Sequence, residues 1–290
     1  MLKQPLIPAS DNRFAISVDV EDYFQVWAFS DAISKKSWDG FDFRFGEMTR
    51  RCLDLFDRNG ANATFFTLAW VAERDKALIR EICSRGHEVA SHGLDHTKVH
   101  DQTSDEFFAD ASEAKQRLED ISGQAVNGYR AAGFSIDQTT PWAYERLCEA
   151  GYLYSSSSHP IAHDHYGDAS APLTPHYPDT NADIIEAPVA VREMMGRRVS
   201  CAGGGWFRLM PYAWSRHLLK SVEREGSAPV IFYFHPWEID AAQPRIKNSS
   251  LKSKLRHYTG LRAMEGKLEK LTRDWSWSRI DDVLQLRSAS

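Results

Sequence analysis

The sequence predicts an α/β fold with parallel strands. Roughly seven short apolar runs alternate with stretches of helical period, and several of those runs end in Asp, Glu or His. Regular alternation of strand and helix argues for parallel pairing, since the helix carries the chain back to the same end of the sheet. Polar residues at the C-terminal ends of such strands are where α/β folds place their chemistry. Spacing alone leaves two architectures open, a (β/α) barrel and an open doubly wound sheet.

The run Phe14 to Asp19 alternates large and small residues and delivers Asp19 at its end. Met48, Cys52, Leu55 and Phe56 have helical spacing and stop at Asn59-Gly60, a usual helix exit. Strand Ala63 to Thr67 follows, then a helix around Ala77 to Arg85 and strand His87 to Ala90. Thr103-Ser104-Asp105-Glu106 has the form of a capping box, which opens a helix with the apolar stripe Phe107, Ala111, Ala114, Leu118 and Ile121, closed by Gly123. Strand-like Val126 to Tyr129 comes next, then a helix from Thr140-Pro141 to Gly151 and strand Tyr152 to Tyr154. Residues 155–183 lack a clear period and read as a long excursion over the rim. Ile184 to Ala187 resumes the sheet, Pro211 opens a helix reaching Gly226, and Pro229 to Phe234 is the strongest apolar run. Residues 251–273 form a helical extension with mixed charge, read as a solvated face, and Trp275 and Trp277 alternate as in a final strand. The chain 1–290 is read as a single domain.

At 290 residues and a net charge of −5, the chain is ordinary in size and lacks the clustered cations of a nucleic-acid surface. The N-terminal stretch has no uninterrupted apolar core and no later run approaches a membrane span, so the expected location is cytoplasmic. Cys52, Cys83, Cys148 and Cys201 are scattered, which indicates neither a disulfide framework nor a thiolate metal site. Oligomeric state is not legible.

The chemistry centres on Gly86 to His96, where His92 and His96 stand four apart. That spacing can put both rings on one side of a helical turn, and neutral imidazole is the commonest protein ligand for zinc-like metals. A catalytic ion needs a third protein ligand and an open position; Asp19, Glu21 and Asp22 offer carboxylates. His235 closes the last apolar run. If these strand ends share one face, they supply a metal, a base and an acid, which is what amide hydrolysis requires.

The blocks Val18-Asp19-Val20-Glu21-Asp22, Ala63-Thr64-Phe65-Phe66, Gly86 to Gly93, Gly203-Gly204-Gly205-Trp206-Phe207-Arg208 and His235-Pro236-Trp237-Glu238 stand in an order that resembles the polysaccharide deacetylases of the NodB homology group, carbohydrate esterase family 4. The same blocks resemble the subgroup found with exopolysaccharide and exosortase gene clusters. The resemblance implies a distorted (β/α)7 barrel and metal-dependent removal of acetyl groups from an N-acetylated polysaccharide or oligosaccharide. It implies Asp19 as general base, His92 and His96 as metal ligands, Arg130 as the arginine that holds the base, and His235 as general acid. The carboxylate ligand falls on Glu21 or Asp22, Glu21 being favoured because Val20 occupies the usual position. Zn is the expected ion, with Co, Fe or Ni also compatible. By the same resemblance a backbone N–H near Gly133 is a candidate donor for an oxyanion, and Trp27, Trp206 and Trp237 are candidate sugar platforms. Two positions depart from the family pattern: Ala132 replaces proline, and Ser155 stands where relatives carry the aspartate that tunes the acid, so the tuning of His235 has to come from elsewhere or be weak.

Other readings weigh less. A zincin protease needs Glu where Gly93 stands. Gly203 to Gly205 lacks the Lys-Ser/Thr of a phosphate loop and reads as a tight turn. A second metal cluster at His100, His159, His163 and His165 is disfavoured because polar-loop histidines are usually solvated. Two functional rivals remain, a hydrolase of a small C–N compound and a glycan-binding protein without turnover.

Overall fold

The computed structural model describes residues 13–162, 167–178, 180–226 and 229–286. Seven strands run parallel in one sheet: β1 (Phe14–Val20), β2 (Ala63–Thr67), β3 (Glu88–Ser91), β4 (Gly128–Tyr129), β5 (Tyr154–Ser155), β6 (Ile185–Glu186) and, after the hairpin of β7 (Val191–Met194) and β8 (Arg197–Ser200), β9 (Val230–Phe234). Their order is β6-β5-β4-β3-β2-β1-β9. The sheet curls until its two edges approach, and the Ala190 N–H donates to the Ile231 carbonyl at 3.0 Å. This is the incompletely closed (β/α)7 barrel expected from the resemblance.

Strands β4, β5 and β6 are shorter than their apolar runs suggest. Irregular backbone carries the pairing onward: Arg130 N–H donates to Ser91 O, Ser156 N–H to Tyr129 O, and Ala187 N–H to Ser155 O. The β7–β8 hairpin has no counterpart in the sequence reading. Its two turn residues, Met195 at φ 52° and Gly196 at φ 72°, both take positive φ, as the tightest hairpins require.

Helices pack on the outside of the curl with their apolar stripes inward. Phe45–Asn59 ends on left-handed Gly60, and Ser104–Ser122 carries the expected capping box at Thr103 and ends on left-handed Gly123. Residues 251–273 do not form one helix: Leu251–Tyr258 and Leu261–Asp274 are separated at Gly260, φ 82°. A Cβ on Gly260 would lie 2.6 Å from the Arg208 carbonyl oxygen, so the break lets two backbones meet. Trp275 and Trp277 are buried against Phe14, yet the segment makes a single bridge to β1 through Ser278 instead of a strand. Among the described residues, no helix is long and apolar enough to cross a membrane.

Candidate active site

Parallel pairing brings the C-terminal ends of β1, β2, β3 and β9 to one face, with Asp19 opposite Phe66 and Val18 opposite Phe234. Along β1, alternation turns Ser17 and Asp19 to the same side. Arg130, one residue past β4, reaches both: its guanidinium donates to Asp19 Oδ1 at 2.6 Å and Ser17 Oγ at 2.8 Å, and further to Ser156 O and Oγ at 2.9 and 2.8 Å. Arg130 is fully buried over the face of Phe66, so Asp19 sits on a fixed cationic support.

The chain turns as β1 ends, with Glu21 N–H donating to Asp19 O at 3.0 Å. That turn sends Glu21 to the cleft and Asp22 away from it. Glu21 Oε2 lies 2.9 Å from His96 Nε2, and Glu21 Oε1 lies 3.5 Å from His235 Nε2. Asp22 does not join them. Its Oδ2 accepts from the backbone N–H groups of Arg44 and Phe45 at 2.7 and 2.9 Å, and its Oδ1 from that of Tyr23 at 2.8 Å. Asp22 therefore caps the helix Phe45–Asn59 from a distant part of the chain, where a carboxylate satisfies orphan donors and meets the positive end of the helix dipole.

His92 and His96 are not carried on a helical turn, as their spacing suggested. They flank an irregular loop after β3 with Gly93 at φ 82° and His96 itself at φ 64°. A bulky residue in that region is strained, and such strain concentrates at functional sites. The rings end 5.3 Å apart, and ligand atoms of Glu21, His92 and His96 all lie within 4.8 Å of one another. No other such cluster occurs among the described residues.

The donor set fits a divalent metal. Glu21 Oε2 is buried and receives no hydrogen bond, although the His96 nitrogen faces it, as expected of two atoms arranged around a shared ion. His92 Nδ1 lies 2.8 Å from the Arg130 carbonyl, a partner that can only accept, so Nδ1 carries the proton and Nε2 keeps its lone pair. Burial lowers the pKa of His92 to about 4, which keeps the imidazole neutral. Burial pushes Glu21 up, but the neighbouring His96, with His235 and His92, outweighs it and holds the carboxyl at about 2. Two imidazoles and a carboxylate are a familiar set for Zn, Co, Fe or Ni.

His235 is tuned by a group that the sequence reading did not identify. Its Nδ1 lies 2.7 Å from Glu238 Oε1, and Glu238 Oε2 accepts from Arg208 Nε at 2.6 Å. Burial works against the charged imidazole, but the hydrogen bond to Glu238 and the charges of Glu21, Glu238 and Asp19 overcome it and raise its pKa to about 9. Glu238, three residues after His235, supplies the partner that Ser155 does not; Ser155 bonds instead to Ser157. Arg208 is fixed by the carbonyls of His257 and Thr259 at 2.7 and 2.8 Å. Both Arg208 and Glu238 lie inside blocks visible in the sequence, and an Arg and a Glu each adjoining an apolar run were the available signal.

Gly204 explains its own block. A Cβ there would stand 2.1 Å from Glu238 Oε1, so the glycine admits the carboxylate; it begins a short helix, Gly204–Leu209, beyond the turn expected there. Trp237 is not a sugar platform. It is buried, stacked between His235 and His257 at 5.2 and 4.2 Å, and its indole N–H donates to Glu21 Oε1 at 3.2 Å. Trp206 is half exposed but lines a separate apolar cavity of about 400 Å³ with Phe207, Trp214 and Leu218, away from Asp19 and the Glu21–His92–His96 cluster. Gly133 takes φ 59° in the turn that follows Arg130, with the Lys98 side chain alongside. His100 pairs with Asp137 and His159 with Ser200, while His163 and His165 lie outside the described residues.

Known proteins share this architecture. Residues 34–154 match the family model "Polysaccharide deacetylase", and residues 156–285 match a domain of unknown function, DUF3473. A putative polysaccharide deacetylase from Mycobacterium smegmatis superposes over 99% of this chain and 94% of its own, with a TM-score of 0.59 at 18% identity. A peptidoglycan N-acetylglucosamine deacetylase superposes over 96% and 91%, with a TM-score of 0.51 at 14% identity. These likenesses show the fold. In sequence, a peptidoglycan-N-acetylglucosamine deacetylase of Bacillus cereus is 27% identical over 109 residues, 37% of this chain and 38% of that protein. A probable peptidoglycan-N-acetylglucosamine deacetylase of Arthroderma benhamiae is 30% identical over 88 residues, 29% of this chain and 19% of that protein. The chain thus matches well under half the length of these curated relatives. The deacetylase match over residues 34–154 ends where the DUF3473 match over residues 156–285 begins, one curled parallel sheet runs through both, and the chain is similar in its first half to the polysaccharide deacetylases.

Proposed function

We propose that this protein removes acetyl groups from N-acetylhexosamine units of a bacterial exopolysaccharide or its precursor, in a reaction that depends on a divalent metal. The observation that carries the reading is the convergence of Asp19, His235 and the Glu21–His92–His96 cluster, with Glu21 Oε2 buried and facing His96 Nε2 at 2.9 Å. An ion such as Zn, held by Glu21, His92 and His96, supplies Lewis acidity toward the acetyl carbonyl and acidifies water.

The protein's own groups do the rest. Asp19, pinned through Oδ1 by Arg130, keeps Oδ2 toward the cleft, 3.9 Å from His235 Nε2, and takes a proton from the attacking water. His235, charged through Glu238, presents Nε2–H to the amide nitrogen. As the C–N bond breaks, the proton passes to that nitrogen, so the amine departs neutral and acetate retains the new oxygen. Backbone at Gly133 is the candidate donor to the oxyanion. Trp237 closes the wall behind Glu21 and excludes water from that side.

Acetate release from chitooligosaccharides and from a host exopolysaccharide tests the reading, on protein stripped of metal and then reloaded. Release that requires metal and falls by at least a hundredfold in Asp19→Asn supports it. Metal-loaded protein that frees no acetate from any N-acetylated glycan overturns it.

A further inference from the structure

Between Asp240 and Glu265 the chain carries six Lys and Arg residues and no Asp or Glu, in a protein of net charge −5. The helix Leu251–Tyr258 lies in this segment and folds back onto the turn Trp27–Phe29. One of its stripes, Lys252 and Arg256, lines a small cavity of about 120 Å³ together with Trp27, Ser30 and Asp31. Trp27 is 42% exposed, and Lys98 Nζ stands 3.5 Å from its ring centroid. Among the described residues, neither Lys98 nor Arg256 forms an ion pair, and Asp31 is the single carboxylate lining the cavity.

The Lys98 end of this rim stands beside the turn that carries Gly133. Lys98 follows His96 by two residues, and its Cε would touch a Cβ placed on Gly133 at 3.2 Å. On the helix side, His257 follows Arg256 directly and stacks on Trp237, which bonds Glu21. A glycan whose acetamido group reaches the candidate metal cluster therefore has its neighbouring sugars within reach of Trp27, Lys98 and Arg256. An indole offers its face to a pyranose ring, and partly desolvated cations beside it select a negative charge.

We propose that the rim at Trp27, Lys98 and Arg256 is a subsite for a carboxylate-bearing sugar next to the N-acetylated one, so that the substrate is an acidic heteropolysaccharide rather than a neutral homopolymer. This rests on the glycan-deacetylase reading and names its substrate class. The adjacent stripe of the same helix exposes Leu251 and Leu255, at 72% and 60%, and a basic helix with exposed leucines also suits an anionic membrane. Lys252 and Arg256 line the Trp27 cavity, on a different stripe from Leu251 and Leu255, and an indole beside cations favours the glycan.

The test compares hyaluronan hexasaccharide, in which N-acetylglucosamine alternates with glucuronate, with chitohexaose. Affinity is measured by calorimetry on Asp19→Asn protein, and acetate release on the unaltered chain, both at low salt. The expected result is at least tenfold tighter binding of the uronate-bearing chain. That preference disappears in Lys98→Gln/Arg256→Gln and weakens as salt rises, while chitohexaose turnover changes less than twofold. Equal affinity for the two oligosaccharides overturns the subsite even if chitohexaose is deacetylated. So does binding to phosphatidylglycerol vesicles that requires Leu251 and Leu255 without any uronate preference. Lys98- and Arg256-dependent uronate binding with no acetate released from either chain by metal-loaded protein upholds the subsite and counts against the hydrolase reading instead.

Discussion

The replacement Glu238→Gln isolates the tuning of the candidate acid. His235 has its pKa raised from 6.5 to about 9, and Glu238 contributes both the hydrogen bond and one of three carboxylate charges responsible. Glu21 and Asp19 remain after the replacement, so part of the elevation survives. A fall of about 1.5 to 2 pH units is expected, which at 1.36 kcal/mol per unit is about 2 to 2.7 kcal/mol of lost preference for the imidazolium. At pH 8.5 the protonated fraction of the metal-free chain then drops from about three quarters to below about one tenth, and turnover of the loaded protein falls in the same direction. Two measurements check this. Histidine NMR titration of the metal-free chain reads the imidazole itself, and the pH dependence of kcat/KM on the loaded protein reads its consequence as a downward move of the alkaline limb. Glu238→Asp restores part of the shift. A limb that stays in place, with an imidazole pKa within half a unit of the unaltered protein, would show that Glu238 does not set the protonation of His235. The sign for stability follows from the same elevation: a histidine whose folded pKa is raised stabilises fully below pH 6.5, and that contribution is lost as pH rises through about 9.

Arg130→Met leaves the Asp19 carboxylate buried without its cation, which costs about 3 to 5 kcal/mol and lowers Tm by roughly 10 °C in calorimetry; in Arg130→Met/Asp19→Asn part of the loss returns. Gly204→Ala forces a Cβ to within 2.1 Å of Glu238 Oε1, so stability drops by about 1 to 3 kcal/mol in urea unfolding and the alkaline limb shifts as in Glu238→Gln. Glu21→Gln reduces metal content by elemental analysis from about one ion per chain to well below half, whereas Asp22→Asn leaves it unchanged. Asp22→Ala instead lowers stability by about 1 to 2 kcal/mol, because the helix Phe45–Asn59 loses the acceptor of its first N–H groups.

Much of the scaffold was legible from periodicity. The strand Phe14 to Asp19, the helix ending at Asn59-Gly60 and the capping box at Thr103 rest on local rules of side-chain alternation and end-capping, which need no knowledge of the remaining chain. Strands β4 to β6 were over-read in length because an apolar run records burial, and buried backbone here passes from ladder to irregular bonding without becoming polar. The β7–β8 hairpin escaped because Val191 to Ser200 carries arginines on both strands, which blurs the alternation that marks a strand.

For the site, the order of motifs along the chain pointed to Asp19, Glu21, Asp22, His92, His96 and His235 as the groups that could meet, since a parallel sheet returns each strand end to one face, while Arg130 was implied by the family resemblance. What the linear order could not decide was direction. Glu21 and Asp22 are adjacent and chemically alike; one faces the imidazoles and the other caps a helix because of a single backbone turn after β1. Trp237 and Trp206 looked equally suited to sugar contact, and only packing shows the first buried behind Glu21 and the second on another cavity. The pairing of Arg208 with Glu238, thirty residues apart, likewise exists only once the helix after β8 lies against β9. Residue type and spacing therefore determined which chemistry this protein could carry. Tertiary structure decided which of several equivalent side chains carries it, because a carboxylate's role depends on the charges and donors within a few ångströms, and those come from remote segments.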